Sequence, residues 1–337
     1  MDLYLLPSIP GTKGGYQKAV RNDLEYFGPE NNDVLVIFDD EIWTQNNEFK
    51  NVFYISRKSH KKDNLVRNAL RFRPISELSA KEIYNYYLNN YFQRIICDEV
   101  IFYKAAREVF PKKELIIRFH NFYSPIYEKA RHLKCNLGLR LGYNVRAFPN
   151  LEKEILLDNK CFSFFITQDD YEDAKKMYNC NNIGILPMSI TKEVISNHGA
   201  KDVGKRLIIY GSVTAAHTKI GVDYFIRNVY LKNDMGKNYQ LFIIGAGSEI
   251  YSNIDKNIFG LGFYNGDNLP FDGNGLFLVP DLLALGIKTK IGDLLLESAY
   301  ILATKEAVKG YNLEKYNNIF VSDIDNWYKE ILSITTL

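Results

Sequence analysis

Short apolar runs alternate with longer amphipathic stretches along this chain of 337 residues. Residues 3–6, 34–38, 52–55, 115–119 and 162–166 are short, β-branched or aromatic, and bounded by Gly, Pro, Asn or Asp. That pattern predicts buried strands. Between them, residues 15–27, 80–91, 100–109 and 171–178 carry apolar side chains at helical spacing. Strand then helix, repeated, predicts an α/β architecture with a parallel sheet covered on both faces. Near Leu186-Pro187-Met188-Ser189 a proline follows a short apolar run, and the pattern then restarts. Strand-like runs recur at 207–210, 241–244, 276–279, 300–303 and 319–321, with helix-like stretches at 221–230 and 291–297. Proline cannot donate to a central ladder, so this point reads as a linker. The expected organisation is two Rossmann-like doubly wound domains facing a cleft, at 1–187 and 188–322, with a closing helix at 323–337.

Doubly wound sheets bind ligands just beyond the carboxyl ends of their strands, which narrows the search. After the first strand, Gly14-Gly15 precedes a helix and lets backbone approach a ligand, but neither a Walker motif nor GxGxxG is present. After residues 115–119 stands His120-Asn121, a histidine able to act as acid, base or donor to a sugar hydroxyl. The most informative stretch runs from Leu278-Val279-Pro280 to Gly286-Ile287-Lys288-Thr289-Lys290. A strand, a glycine-bearing loop with two lysines and a helix N-terminus form a diphosphate site. Lys288 and Lys290 supply charge, backbone amides supply directional bonds, and Asp293, one turn into the helix, can accept from ribose hydroxyls.

Composition removes several classes of function. With 46% hydrophobic and 24% charged residues the chain reads as globular, not disordered. Its 4 cysteines are isolated, without zinc or disulfide spacing, which fits a reducing compartment. The N-terminus reads as a strand, not a signal peptide, and no apolar run approaches the roughly 20 residues of a membrane span. The net charge of +2 hides an asymmetry: residues 51–150 hold 19 Lys/Arg against 8 Asp/Glu. Arg57, Lys58, Lys61, Lys62, Arg67, Arg71 and Arg73 form its centre, opposed only by Asp63. Leu65, Val66, Ala69, Leu70 and Phe72 are interleaved, so 57–73 is expected to form an amphipathic helix against an anionic membrane. No nucleic-acid reading motif accompanies the charge, so nucleic acid is not the expected partner. Asp39-Asp40-Glu41 and Asp169-Asp170 lie at strand ends and read as acidic turns; no metal site is predicted.

The run G-x-K-T-K, helix, acid, then A-T-x-E-A-x-x-G-Y over 303–311 resembles the nucleotide-sugar half of GT-B glycosyltransferases. The likeness is greatest to the bacterial family 4 type of surface polysaccharide synthesis. It extends to Tyr210-Gly211-Ser212, to Gly245-Ala246-Gly247, to Gly14-Gly15 and to Arg118-Phe119-His120-Asn121, and so covers nearly the whole chain. The resemblance implies an acceptor-binding domain at 1–187 and a nucleotide-sugar domain at 188–322. It implies a hexosyltransferase that uses a UDP- or GDP-sugar and needs no other cofactor. Its acceptor would be a saccharide or lipid-linked saccharide, and anomeric configuration would be retained. The implied location is cytoplasmic, peripheral at the inner face of the membrane.

His120, Lys288 and Lys290 would then be catalytic. Gly14, Gly15, Gly211, Ser212, Gly245, Gly247, Gly286, Thr289, Lys290 and Asp293 would hold the donor. The chain departs from the family in four ways. Ala284-Leu285-Gly286 replaces the usual G-S-G, Leu285–Gly286 lies where the first Glu of an E-x7-E pair belongs, and Asp293 replaces the second. The Arg/Lys pair that often follows the Gly211 turn is absent, with Thr218-Lys219 nearest to it. These departures keep a non-catalytic nucleotide- or partner-binding module open. A sugar-nucleotide epimerase of the same fold would need clustered acids and histidines, and His60, His120, His132, His198 and His217 are scattered in sequence.

Overall fold

The structure is a computed structural model. It describes residues 2–11, 15–27, 34–43, 51–56, 74, 78, 83, 92–132, 142–188, 202–264, 269–283, 286–314 and 316–336. The predicted helix at 80–91, apart from Ile83, and the basic segment 57–73 lie outside the described residues. The chain divides into two units, Met1–Ser189 and Ile190–Leu337.

Among the described residues the first unit holds seven parallel strands: β1 (Leu3–Leu6), β2 (Val34–Ile37), β3 (Asn51–Tyr54), β4 (Ile95–Cys97), β5 (Leu115–Phe119), β6 (Cys161–Phe165) and β7 (Ile183–Ile185). Their order is β3-β2-β1-β4-β5-β6-β7. The helices among the described residues are α1 (Gly15–Phe27), α2 (Tyr103–Val109), α3 (Ser124–His132), α4 (Gly142–Leu157) and α5 (Gln168–Tyr178). β1, β2 and β4 are buried on both faces, as expected of parallel strands between helices. One core gathers Leu3, Leu5, Ile95, Ile117 and Phe119, and another gathers Tyr4, Leu6, Val20, Leu24 and Ile96. The buried Glu152 of α4 accepts from the Tyr123 and Ser124 backbone N–H groups and caps α3.

Among the described residues the second unit holds six parallel strands: β8 (Arg206–Tyr210), β9 (Gln240–Ile244), β10 (Ile258–Gly262), β11 (Leu276–Val279), β12 (Tyr300–Ala303) and β13 (Ile319–Val321). Their order is β10-β9-β8-β11-β12-β13. The helices are α6 (Ala216–Phe225), continued by one π-turn over Ile226–Tyr230, α7 (Thr289–Leu296) and α8 (Trp327–Ile334). Within the segment expected as a closing helix, a 3-10 turn over Ile324–Asn326 leads into α8, and Trp327, Ile331 and Ile334 pack in the core of the second unit.

Among the described residues, three strands and two helices escape the sequence pattern. β4 and β7 have three residues each, the latter within the apolar run read as leading into the linker, and β10 is interrupted by Gly260 and a register shift before Gly262. α3 and α4 contain Pro125 and Pro149, which dilute helical periodicity. Among the described residues, no helix is long and apolar enough to cross a membrane.

Candidate active site

In the second unit the chain runs from β8 outward through β9 to β10, then crosses back to place β11 on the other side of β8. The strand order therefore reverses between β8 and β11, and the ends of these two strands form the crevice where doubly wound sheets take ligands. Just beyond β11 stands Asp281, 1% exposed. Its carboxylate lies 3.1 Å from the Lys290 ammonium and 3.9 Å from that of Lys288. Burial pushes the Asp281 carboxyl up, but Lys290 and then Lys288 outweigh it and hold it below its usual value. Lys288 is itself buried, which lowers its ammonium.

The segment after β12 braces this loop. The Thr304 hydroxyl donates to the Asp281 carbonyl. The Tyr311 hydroxyl donates to the Lys288 carbonyl at 2.7 Å and accepts from the Gly292 N–H at 3.0 Å. The A-T-x-E-A-x-x-G-Y run thus locks the lysine loop onto the first turn of α7. Thr289 opens α7, and Gly286 takes φ +54° just before it. Asp293 is half-buried. Burial, and after it the Asp293 charge, raises the Tyr210 phenol at the end of β8.

The glycines after β8 and β9 serve backbone packing. Gly211 (φ +123°) donates its N–H to the Ile244 carbonyl, and a Cβ on Gly245 (φ +144°) would overlap the Gly211 carbonyl. Any side chain at Gly245 would separate these two turns. Gly247 (φ +81°) starts the 3-10 turn over Ser248–Tyr251. Ser212 shares a hydrogen bond with the Thr214 hydroxyl at 2.7 Å and is exposed. A Cβ on Gly211 would lie 3.5 Å from Lys290 Cδ, so the lysine stem runs past this turn. Lys219, the nearest sequence substitute for the missing Arg/Lys pair, is occupied elsewhere. It pairs with Asp223 at 2.8 Å and lies over the Tyr251 ring.

In the first unit the order reverses between β1 and β4. Asp98 follows β4, His120 follows β5, Arg118 lies in β5 and Asp23 in α1; all four are buried. His120 Nε2 and Asp98 Oδ1 share a hydrogen bond at 3.1 Å, and Asp23 Oδ2 accepts from Arg118 Nε at 2.6 Å. Burial, then the neighbouring Asp23 charge, pushes the Asp98 carboxyl well up, while burial pulls the His120 imidazole down. Asp23, Asp98 and His120 are a group with metal-ligand spacing among the described residues. Arg118 already supplies a cation to Asp23 there. Gly15 opens α1, whereas Gly14 lies outside the described residues.

The acidic runs act as turns and caps. Asp39 accepts from the Asp40 and Ile9 N–H groups, and Asp169-Asp170 occupy the first turn of α5 behind the Thr167 cap. Sequence reasoning missed Asp281, Asp98 and His217. A strand-end position was the available signal for the two aspartates, and nothing in the sequence singled out His217.

No family model matches this chain, and no curated protein matches it. Solved structures do. WaaG, a glycosyltransferase involved in lipopolysaccharide biosynthesis, matches 100% of this chain and 91% of its own, at 15% identity and TM-score 0.63. Sucrose-phosphate synthase from Thermosynechococcus elongatus matches 99% of this chain and 90% of its own, at 10% identity and TM-score 0.63. The trehalose-6-phosphate protein from E. coli, bound with UDP-2-fluoro glucose, matches 100% and 91%, at 10% identity and TM-score 0.57. Two doubly wound parallel units in one chain, matched over its full length by these structures, establish that this protein has the GT-B fold.

Proposed function

We propose that this protein is a glycosyltransferase that moves a hexosyl group from a UDP- or GDP-sugar to a saccharide or lipid-linked saccharide, with retention, in bacterial surface polysaccharide synthesis. The observation that carries the reading is the pair Lys288 and Lys290 at the β8/β11 crevice, beside the first turn of α7. Loss of the nucleotide diphosphate builds negative charge. Two cations and the backbone N–H groups of a helix N-terminus stabilise that charge without reorganising. Lys288, Thr289 and Lys290 hold the diphosphate, with Gly286 shaping the loop before them. Asp293 takes the ribose, and Gly211, Ser212, Gly245 and Gly247 shape the neighbouring turns. The first unit serves the acceptor, and His120, held by Asp98, acts on the transferred sugar.

WaaG supports the polysaccharide setting, and the UDP-2-fluoro glucose on the E. coli protein supports a nucleotide-sugar donor. Release of nucleotide from UDP-, GDP- and CMP-sugars tests the reading, with His120→Ala alongside. Turnover of one UDP- or GDP-sugar, lost in His120→Ala while nucleotide affinity stays, supports it. Nucleotide binding without turnover of any sugar would favour the non-catalytic module that the missing first Glu suggests.

A further inference from the structure

The lysine site contains a histidine with no role assigned so far. His217 lies in the first turn of α6, directly after the β8 turn that carries Gly211 and Ser212. Four residues on, at Gly221, α6 touches the β11 loop so closely that a Cβ would overlap the Pro280 carbonyl. Residues four apart share a helix face, so His217 faces the same loop, which continues into Asp281. Its electrostatic neighbours agree: Lys288, Asp281 and Lys290 all act on the imidazole. Burial, then Lys288, pulls its pKa down to about 4. At neutral pH His217 is therefore uncharged, and an uncharged imidazole has one N–H donor and one acceptor nitrogen.

We propose that the His217 imidazole is a further binding residue of this anion site, donating its N–H to an oxygen of a bound diphosphate. The inference rests on the donor reading above. Of the charges that act on this neutral ring, two are lysines and one is an aspartate, a balance that suits an anion. The lysines act as point charges on flexible stems. A ring on the rigid first turn of α6 adds direction, so His217 would align the diphosphate.

Calorimetry with UDP and GDP on the full chain decides, using wild type, His217→Ala, His217→Gln and Lys290→Ala, with thermal melting of each. Loss of one hydrogen bond to a charged group weakens binding roughly ten- to a hundredfold. That loss is expected in His217→Ala, with most of the affinity regained in His217→Gln, whose amide also donates. Unchanged affinity in His217→Ala, with Lys290→Ala weakened, overturns this inference and leaves the donor reading standing. Equal weakening in both histidine variants, with equally lowered melting temperatures, makes His217 a packing residue and also overturns it. Absence of UDP and GDP binding by wild type overturns the donor reading itself.

Discussion

Lys288 is only 8% exposed, a costly place for an ammonium unless an anion answers it. Asp281 lies 3.9 Å from it and holds Lys290 more closely, at 3.1 Å. A bound diphosphate would set further negative charge beside both lysines. Lys288→Ala and Lys290→Ala should each weaken UDP or GDP binding by about ten- to a hundredfold, since a charge-assisted hydrogen bond contributes roughly 1.5–3 kcal/mol. Calorimetry measures this, and unchanged affinity in both variants would remove the site. His217 gives a second expectation at this scale. Its folded pKa, about 4, lies below the ordinary 6.5. Between these values the unfolded chain binds the proton and the folded chain does not, so stability falls as pH drops from 6.5 towards 4. His217→Gln should remove up to about 3 kcal/mol of that fall. Urea melts of both proteins at pH 7 and pH 4.5 would show it as a smaller difference for the variant.

Helix α6 is set against the β11 loop by a glycine. Gly221 brings the helix backbone onto the Pro280 carbonyl, one residue before Asp281. Gly221→Ala must push the helix away, because the atom met is backbone and cannot rotate aside. Overpacking of this kind costs about 1–3 kcal/mol. The variant should melt lower and should also bind nucleotide more weakly, because α6 carries His217 and the displaced loop carries the lysines. A variant with wild-type melting and affinity would show that the loop yields freely. Tyr311 works at the same scale: one hydroxyl joins the lysine loop to α7 through two hydrogen bonds.

Across the molecule, charge is unevenly spread. Residues 51–150 hold 19 basic and 8 acidic side chains, in a protein of net charge +2. Seven of the basic residues fall within 57–73, interleaved with apolar ones. If this segment meets a membrane, attraction acts within a Debye length of roughly 8 Å at physiological salt and weakens as salt is added. Each Lys or Arg near an anionic surface contributes about 1 kcal/mol. Co-sedimentation should therefore favour anionic over neutral vesicles, and Lys61→Glu with Lys62→Glu should remove most of the preference. Equal recovery with both vesicle types would sink the membrane contact and leave the transferase reading untouched.

The α/β class was legible in sequence, because buried parallel strands are short, apolar and punctuated. Gly286, Lys288, Thr289 and Lys290 lie within five residues of one another, so their closeness could be read from the sequence. β4, β7 and β10 were not legible. Three residues are too few to show a period, and the glycines of β10 hide its strand character. The partners of the lysines belong to the tertiary structure alone. Asp281 is seven residues before Lys288, and His217 is 71 before it. Asp281 meets the lysines within the connection from β11 to α7, whereas His217 meets them because β8 and β11 are neighbours in the sheet although β9 and β10 come between them in the chain. Likewise Asp23, Asp98, Arg118 and His120 come from α1, the end of β4 and β5. Only the crossover that sets β4 beside β1 and β5 buries their charges together.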